Sequence, residues 1–501
     1  MWTKRAAVVV GVALACAGCK TRLWEIEQLK PKFIASACRV QQAPLAKADV
    51  LFMIDNSGSM DAMQEELRSR FPLFLKVFHD LAQKGTLVDL HIGVVTSDYG
   101  AGTSMGQCSP SPGGQRGKLQ ALGGYAKAGC KPPVGANFIQ YAFADVGDGP
   151  NNLPPGQSLD ETFTCMASIG AHGCGYEHQL ESVRAALQDP IDENVGFLRD
   201  DALLVVLFLT NEDDCSAPPD TDLFDAAVQR YGQSYSFRCS RYGVLCDGQQ
   251  PPYGDSGGAL QSCVPAPNPG DKGPGRLYDI GRYVNLFTRP AFQGGIKFDP
   301  ADVLLAAIDA PSEPFQVVLA DPSSGISEGK PYDLCAVLDE NKPCLPVLQH
   351  SCQNAIDGAF FGDPSVRLNT VINAAQNHSL SSLCAGDYTA ALETVANLIV
   401  SQTGECCFTE RLPPDPRDPT NNDLFLATCT VEEVTQNANG TTTTVEIPRC
   451  AAGVPTPCWY IEKKDQCAGL SPQSFGLTVN HGGSPAPPHT TARSQCRGID
   501  N

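Results

Sequence analysis

The sequence predicts an α/β protein: a doubly wound, mostly parallel sheet carrying disulfide-rich insertions, followed by a small β-rich module. Three observations lead there. Short apolar runs such as Val50–Ile54 and Leu203–Leu209 lack alternation, as strands covered on both faces do. Segments of helical spacing separate them, the order expected of a sheet flanked by helices. Between these elements lie stretches rich in Gly, Pro and Cys, and the 501 residues include 22 cysteines, a number that belongs to an oxidising compartment.

At the N-terminus Lys4 and Arg5 precede an apolar stretch from Ala6 to Ala15 and then small residues, the order of an export signal. That stretch is too short to span a bilayer, which takes about 20 apolar residues, and no later run is longer than Leu203–Leu209. Cys16-Ala17-Gly18-Cys19-Lys20 resembles a bacterial lipobox, in which a cysteine is lipidated and becomes the first residue. Cys19 is the expected site, because Ala17-Gly18 precede it and because processing there leaves an even number of other cysteines. Cys16 is the competing site, and an ordinary cleaved signal the third reading. Residues 1–18 are thus expected as a lipoprotein signal peptide and 19–47 as a lipid-anchored tether, the only attachment to a membrane. Lys20 resembles the second residue of outer-membrane lipoproteins, so the expected address is the bacterial cell envelope, facing either the periplasm or the surface.

Residues 48–402 are expected to form the α/β domain. Val50–Ile54 is its first strand and stops at Asp55-Asn56-Ser57-Gly58-Ser59-Met60. Met63, Leu67, Phe71, Phe74, Phe78 and Leu81 then mark one face of a long helix. Pro72 predicts a kink or a division into two helices, and Gly85 a stop. Val88, Leu90, Ile92 and Val94 mark a second strand, and Leu180, Val183 and Leu187 a helix. Leu203–Leu209 and Phe315–Ala320 are two further buried strands. Tyr388, Leu392, Val395 and Ile399 mark a late helix with Asp387 as its N-cap. Residues near 100–160, 216–285 and 322–360 lack helical periodicity and are expected as disulfide-stapled insertions.

From 404 to 501 the texture changes to a cysteine-rich β module. Thr428–Val434 and Thr441–Ile447 flank an Asn439-Gly440 turn signal, and Gly476–Asn480 is another strand. Thirteen cysteines lie from Cys38 to Cys384 and seven from Cys406 to Cys496. Both counts are odd, so full pairing within one chain requires at least one disulfide across the boundary. Adjacent Cys406 and Cys407 are poor partners for each other, which makes one of them the natural bridge.

The chemistry gathers where the first strand ends. Asp55 offers a hard anionic oxygen, Ser57 and Ser59 offer hydroxyls, and Gly58 permits a tight turn. Such an oxygen-only set suits Mg²⁺, Mn²⁺ or Ca²⁺ and not zinc. It also lies at the carboxyl end of a strand, where open α/β sheets bind their ligands.

Lys47 to Met60 resembles the opening strand of a von Willebrand factor type A domain, and the wider pattern resembles the cysteine-rich lipoproteins that carry one. The resemblance implies a metal-ion-dependent adhesion site, completed by a Thr and an Asp from two later loops and by a carboxylate of a protein partner. Leu207 to Cys215 resembles the later strand of that family, with Asn211 where its Asp stands; Asp213 or Glu212 would restore an acidic oxygen. The loop expected to bring the Thr, His172 to Glu177, contains none, and Glu177 is the substitute. One missing negative charge implies weak binding.

Other chemistries are disfavoured. A formal charge of −19 lacks the basic footprint of nucleic-acid binding. Gly254-Asp255-Ser256-Gly257-Gly258 resembles the nucleophile turn of chymotrypsin-like proteases, yet no histidine lies in an Ala-His-Cys setting, so Ser256 is expected in a stapled turn. His172, Cys174 and His178 lack zinc spacing, and Cys174 is expected in a disulfide. The acidic turns at Asp145–Gly149 and Asp415–Asp423 lack a calcium-loop spacing. The expected function is binding, not catalysis: a divalent cation presented to a protein ligand. A metal-free envelope scaffold is the alternative, and a hydrolase using Ser256 a remote one.

Overall fold

The structure, a computed structural model, describes residues 32–36 and most of the chain from 46 to 498. Outside the description within that span are 84–86, 102–107, 109–113, 145, 219–220, 226, 233–234, 269–275, 325–331, 336–340, 404–405, 409–411, 413–428, 437–440, 465–466, 468–472 and 484–489. The signal segment, Cys16, Cys19, Cys38, Gly85 and the Asn439-Gly440 turn lie outside the described residues.

A seven-stranded mixed sheet organises the chain. Its strands are β1 (Ala46–Ile54), β2 (Val88–Thr96), β3 (Ile139–Phe143), β4 (Asp148–Asn151), β5 (Leu203–Leu209), β6 (Val303–Asp309) and β7 (Asn377–Ser382), in the order β7-β6-β5-β1-β2-β3-β4. The five strands from β7 to β2 are parallel, and β3 and β4 are antiparallel additions at one edge.

Strand β1 is buried on both faces because successive side chains point to opposite sides. Val50, Phe52 and Ile54 join one core with α1 (Asp61–Ala82), α2 (Leu159–Ala167) and α7 (Thr389–Thr403). Leu51 and Met53 join a second core with α3 (Gln179–Gln188), α5 (Gly281–Thr288) and α6 (Arg367–Ala374). Phe52 is fully buried, with the rings of Phe71, Phe74 and Phe163 about it at 5.8, 6.0 and 4.8 Å. Truncating it to Ala falls in the class that costs about 3–5 kcal/mol.

Several expectations are corrected. Helix α1 runs unbroken through Pro72. Pro72 lies on the exposed side, so water can satisfy the carbonyl that loses its amide partner. Phe315–Ala320 is not a strand of the main sheet: Val317–Ala320 pairs antiparallel with Leu345–Leu348 in a ribbon of its own. The place in the main sheet beside β5 belongs to β6, whose two alanines dilute its apolar run. The stretch near 100–160 supplies β3 and β4, so part of it extends the sheet. The stretch near 216–285 contains α4 (Tyr235–Gly243).

Disulfides staple these segments at Cys108–Cys174, Cys130–Cys165, Cys215–Cys239, Cys246–Cys263, Cys335–Cys344 and Cys352–Cys384. The insertion between β5 and β6 also buries apolar side chains of its own, Leu223, Phe224, Tyr231 and Leu277 among them, and the crosslinks remove entropy from the unfolded states of these long loops.

Towards the C-terminus, Cys429–Gln436, Thr442–Ile447 and Thr490–Gly498 form a sheet, and Cys406–Cys407, Phe475–Asn480 and Cys458–Lys463 form another. Lys32–Ser36, inside the segment expected as a bare tether, is the edge strand of the first of these sheets and pairs with Thr490–Gly498. Cys407–Cys467 and Cys450–Cys458 are bridged.

Candidate functional site

Strands β1, β2, β5 and β6 are parallel neighbours, so their carboxyl ends lie side by side. Each apolar strand gives way there to polar residues: Asp55 after β1, Ser97 after β2, Thr210 after β5 and Asp309 as the last residue of β6. The sheet order turns back between β1 and β5, the place where open α/β sheets leave a crevice for ligands.

Asp55 is fully buried. Its Oδ1 accepts the Ser57 amide at 2.8 Å and the Ser97 hydroxyl at 3.0 Å, and its Oδ2 accepts the Thr210 hydroxyl at 2.8 Å. Burial pushes the carboxyl up, while these three donors pull it back down. Gln64, one turn into α1, donates to the Asp55 carbonyl at 2.8 Å and to the Gly170 carbonyl at 3.0 Å. It thereby ties the strand end to the loop before α3.

Ser57 is buried, and its Oγ makes no hydrogen bond of ordinary geometry among the described residues, lying only close enough to Asp55 to favour its charged form. An unpaired buried hydroxyl costs about 1–3 kcal/mol, so its persistence beside Asp55 requires a reason. Ser59 and Asn211 face each other, with Asn211 Nδ2 donating to Ser59 Oγ at 2.9 Å. Asp55 with Ser57, and Ser59 with Asn211, are thus two contact pairs at the carboxyl ends of β1 and β5.

Glu177 is also buried, immediately before α3. Burial pushes its carboxyl well above the usual range, helped by the Glu212 and Asp55 charges beside it. Glu212 is pushed up to about 8, chiefly by burial and then by Asp363 and Asp55. Glu177, Glu212 and Asp55 thus crowd three carboxyl groups together, and each disfavours charge on the others. A cation placed among them would relieve that repulsion.

Asp213 is used elsewhere. Its carboxylate accepts the Arg367 amide at 2.9 Å and the Leu368 amide at 3.0 Å, closing the N-terminus of α6. Asp214 serves α3 in the same way, accepting the Leu180 amide at 3.0 Å, and forms a buried pair with Arg367 at 3.1 Å.

The sequence reading assigned no role to Ser97, Gln64 or Asp309, and it took Thr210 only as strand sequence. One signal marks Thr210 and Asp309 alike, a polar residue where a wholly apolar parallel run ends; Ser97 follows a strand already interrupted by Asp89, His91 and Thr96. Asp309 is buried with Oδ2 unpartnered among the described residues, and burial pushes its carboxyl well up.

Among the described residues no group of three or more His, Cys, Asp or Glu side chains is arranged to hold a metal ion. Any cation here would rest on one carboxylate plus hydroxyl and amide oxygens. That donor set suits a hard divalent cation, and the orphaned Ser57 hydroxyl fits it.

Away from the sheet ends, the Ser256 hydroxyl interacts with backbone, donating to the Gly258 carbonyl at 2.5 Å and accepting the Val317 amide at 3.2 Å. Cys174 is in a disulfide with Cys108. No described helix is long and apolar enough to cross a membrane.

No known family model and no curated protein sequence matches the chain. Solved structures are similar to it only at low identity. Proximal thread matrix protein 1 from the mussel byssus is 14% identical over 35% of this chain and 33% of its own, with a TM-score of 0.18. The pilus adhesin SpaC from Lactobacillus rhamnosus GG, in its open conformation, is 10% identical over 92% of this chain and 40% of its own, with a TM-score of 0.29. A von Willebrand factor type A protein from Catenulispora acidiphila is 8% identical over 95% of this chain and 67% of its own, with a TM-score of 0.24. The chain spans 33% and 40% of the length of the first two, and it is a disulfide-rich mixed-sheet protein.

Proposed function

We propose that this protein is a lipid-anchored binding protein of the bacterial cell envelope, built on a doubly wound von Willebrand type A-like domain. It presents a divalent cation to a carboxylate of a protein ligand. The observation that carries this reading is the buried Ser57 hydroxyl, left unpaired beside the Asp55 carboxylate at the carboxyl end of β1. Asp55, Ser57, Ser59 and Asn211 would hold Mg²⁺, Mn²⁺ or Ca²⁺, and Glu177 would join them once its proton leaves. Bound there, the cation supplies a positive charge open to an incoming acid. Asp213 contributes indirectly, by holding α6 against the loop that carries Asn211.

A metal-free scaffold is the second reading. It is favoured by the closed hydrogen-bond set of Asp55 and by the Ser59–Asn211 pair, both satisfied without a cation.

Water-proton relaxation of Mn²⁺ tests the two. With the first reading, the protein raises the relaxation rate, and adding glutarate lowers it as the carboxylate displaces bound water. An enhancement unaffected by glutarate excludes carboxylate presentation. Lack of enhancement in both the wild type and Asn211→Asp, which restores the missing charge, supports the scaffold.

A further inference from the structure

Beside the cation site, and separate from it, a cavity of about 380 Å³ opens between the first turns of α1 and the loop from 168 to 172. Small-molecule sites start at about 300 Å³. Its floor and rim are built to stay in place. The Tyr125 amide donates to the Ser168 carbonyl at 2.9 Å, and the Gly123 amide to the Cys165 carbonyl at 2.9 Å. The Cys130–Cys165 disulfide pins the same loop to α2. Gly170 has a φ of 79°, and a Cβ there would lie 2.1 Å from Tyr125 Cδ2. Only glycine lets the Tyr125 ring lie across that turn.

The result is an aromatic shelf that remains 57% exposed, with the exposed His172 ring 5.2 Å from it. A tyrosine held in place at a cavity mouth offers an apolar ring face and a polar hydroxyl to whatever enters. The charges around it cancel: Asp61 and Glu65 against Arg68 and Lys127. Arg68 already donates to Glu65 at 2.7 Å and to the Ala167 carbonyl at 3.3 Å. The four lining charges balance, and donors and acceptors ring an apolar face. That combination matches an uncharged polyhydroxylated ring, whose C–H face stacks on tyrosine while its hydroxyls take both donors and acceptors.

We propose that this cavity is a carbohydrate subsite for a neutral pyranose stacked on Tyr125, with Glu65, Arg68, Asp61 and Lys127 around its hydroxyls. It rests on the cavity alone and not on the cation reading. Gln64 lines the cavity and also donates to the Asp55 carbonyl, so a glycosylated ligand could engage both sites.

Saturation-transfer NMR tests it with three probes, the methyl glycosides of mannose, galactose and N-acetylglucosamine. The full chain should transfer magnetisation to ring protons of at least one. Tyr125→Phe should keep the transfer, and Tyr125→Ala should weaken binding by roughly two- to tenfold, the scale of one lost aromatic contact. Asp55→Ala should leave it unchanged, which separates this result from any failure of cation binding. Absence of transfer to all three glycosides, or equal transfer in Tyr125→Ala, overturns the proposal; so does a site that takes acidic peptides and no glycoside.

Discussion

The Thr210 hydroxyl donates to Oδ2 of Asp55 at 2.8 Å, joining the carboxyl ends of two parallel strands through one buried hydrogen bond. Thr210 also accepts from Gln179 at 3.0 Å, so the same oxygen fixes the start of α3. Thr210→Val keeps the shape and removes both bonds, leaving an acceptor of Asp55 and the Gln179 amide short of a partner. The expected cost is about 1–3 kcal/mol in urea unfolding. An unchanged midpoint would show that the bond is not important to the site.

His178 gives the fold a sensitivity to acid. It is buried between the rings of Tyr99 and Phe224, and neither ring nitrogen has a partner among the described residues. Burial depresses its imidazole to about 4. The unfolded chain therefore binds a proton below about pH 6.5 that the folded chain refuses, so stability falls between about pH 6.5 and 4. His178→Phe keeps the aromatic stack and should flatten that part of the thermal-stability profile. An equally steep decline in the variant would place the sensitivity elsewhere.

The role of Asp213 separates structure from ligation. With its carboxylate on the Arg367 and Leu368 amides, Asp213→Ala should cost about 0.5–2 kcal/mol, as a lost helix cap does. Cation affinity measured in the same variant should stay within about twofold of wild type. A loss comparable to that in Asp55→Ala would make Asp213 a ligand after all.

Cysteine parity predicts one particular link. Twelve of the thirteen cysteines from Cys38 to Cys384 pair among themselves, so a bridge to the C-terminal module must use Cys38. Cys407, Cys450, Cys458 and Cys467 are already paired within that module and Cys429 is itself disulfide-bonded, leaving Cys406 and Cys496 as the possible partners. Cys429 and Cys496 are directly opposite in adjacent strands, which favours Cys406 for Cys38. Non-reducing peptide mapping should return a Cys38–Cys406 peptide; a free Cys38 thiol in the oxidised protein would contradict the parity argument.

What could be read from the sequence follows from burial. Strands β1 and β5 are covered on both faces and consist of apolar residues almost throughout, so they stand out. β7 is an edge strand whose side chains alternate between half-buried and exposed, and Asn377-His378-Ser379-Leu380-Ser381-Ser382 carries no strand signal. β6 is interior and buried throughout, yet Ala306 and Ala307 weaken its pattern, and the nearby Phe315–Ala320 run carries the stronger apolar signal. At the site, the Asp55-x-Ser57-x-Ser59 spacing is local and legible. The Glu177–Glu212 pair, the Gln64 tie and the Asp213 cap join residues far apart in the chain, and only the fold sets those distances.

The central claim is that Asp55 anchors a cation. The direct measurement is calorimetric titration of residues 20–501, produced in an oxidising compartment, with Mg²⁺, Mn²⁺ and Ca²⁺, beside Asp55→Ala. The account predicts saturable heat for at least one cation, with a dissociation constant on the order of 10⁻⁴–10⁻³ M given a single ionised carboxylate. It also predicts loss of that heat in a variant whose circular dichroism matches wild type. Saturable binding that survives Asp55→Ala, or no binding of any of the three to folded wild-type protein, would contradict it.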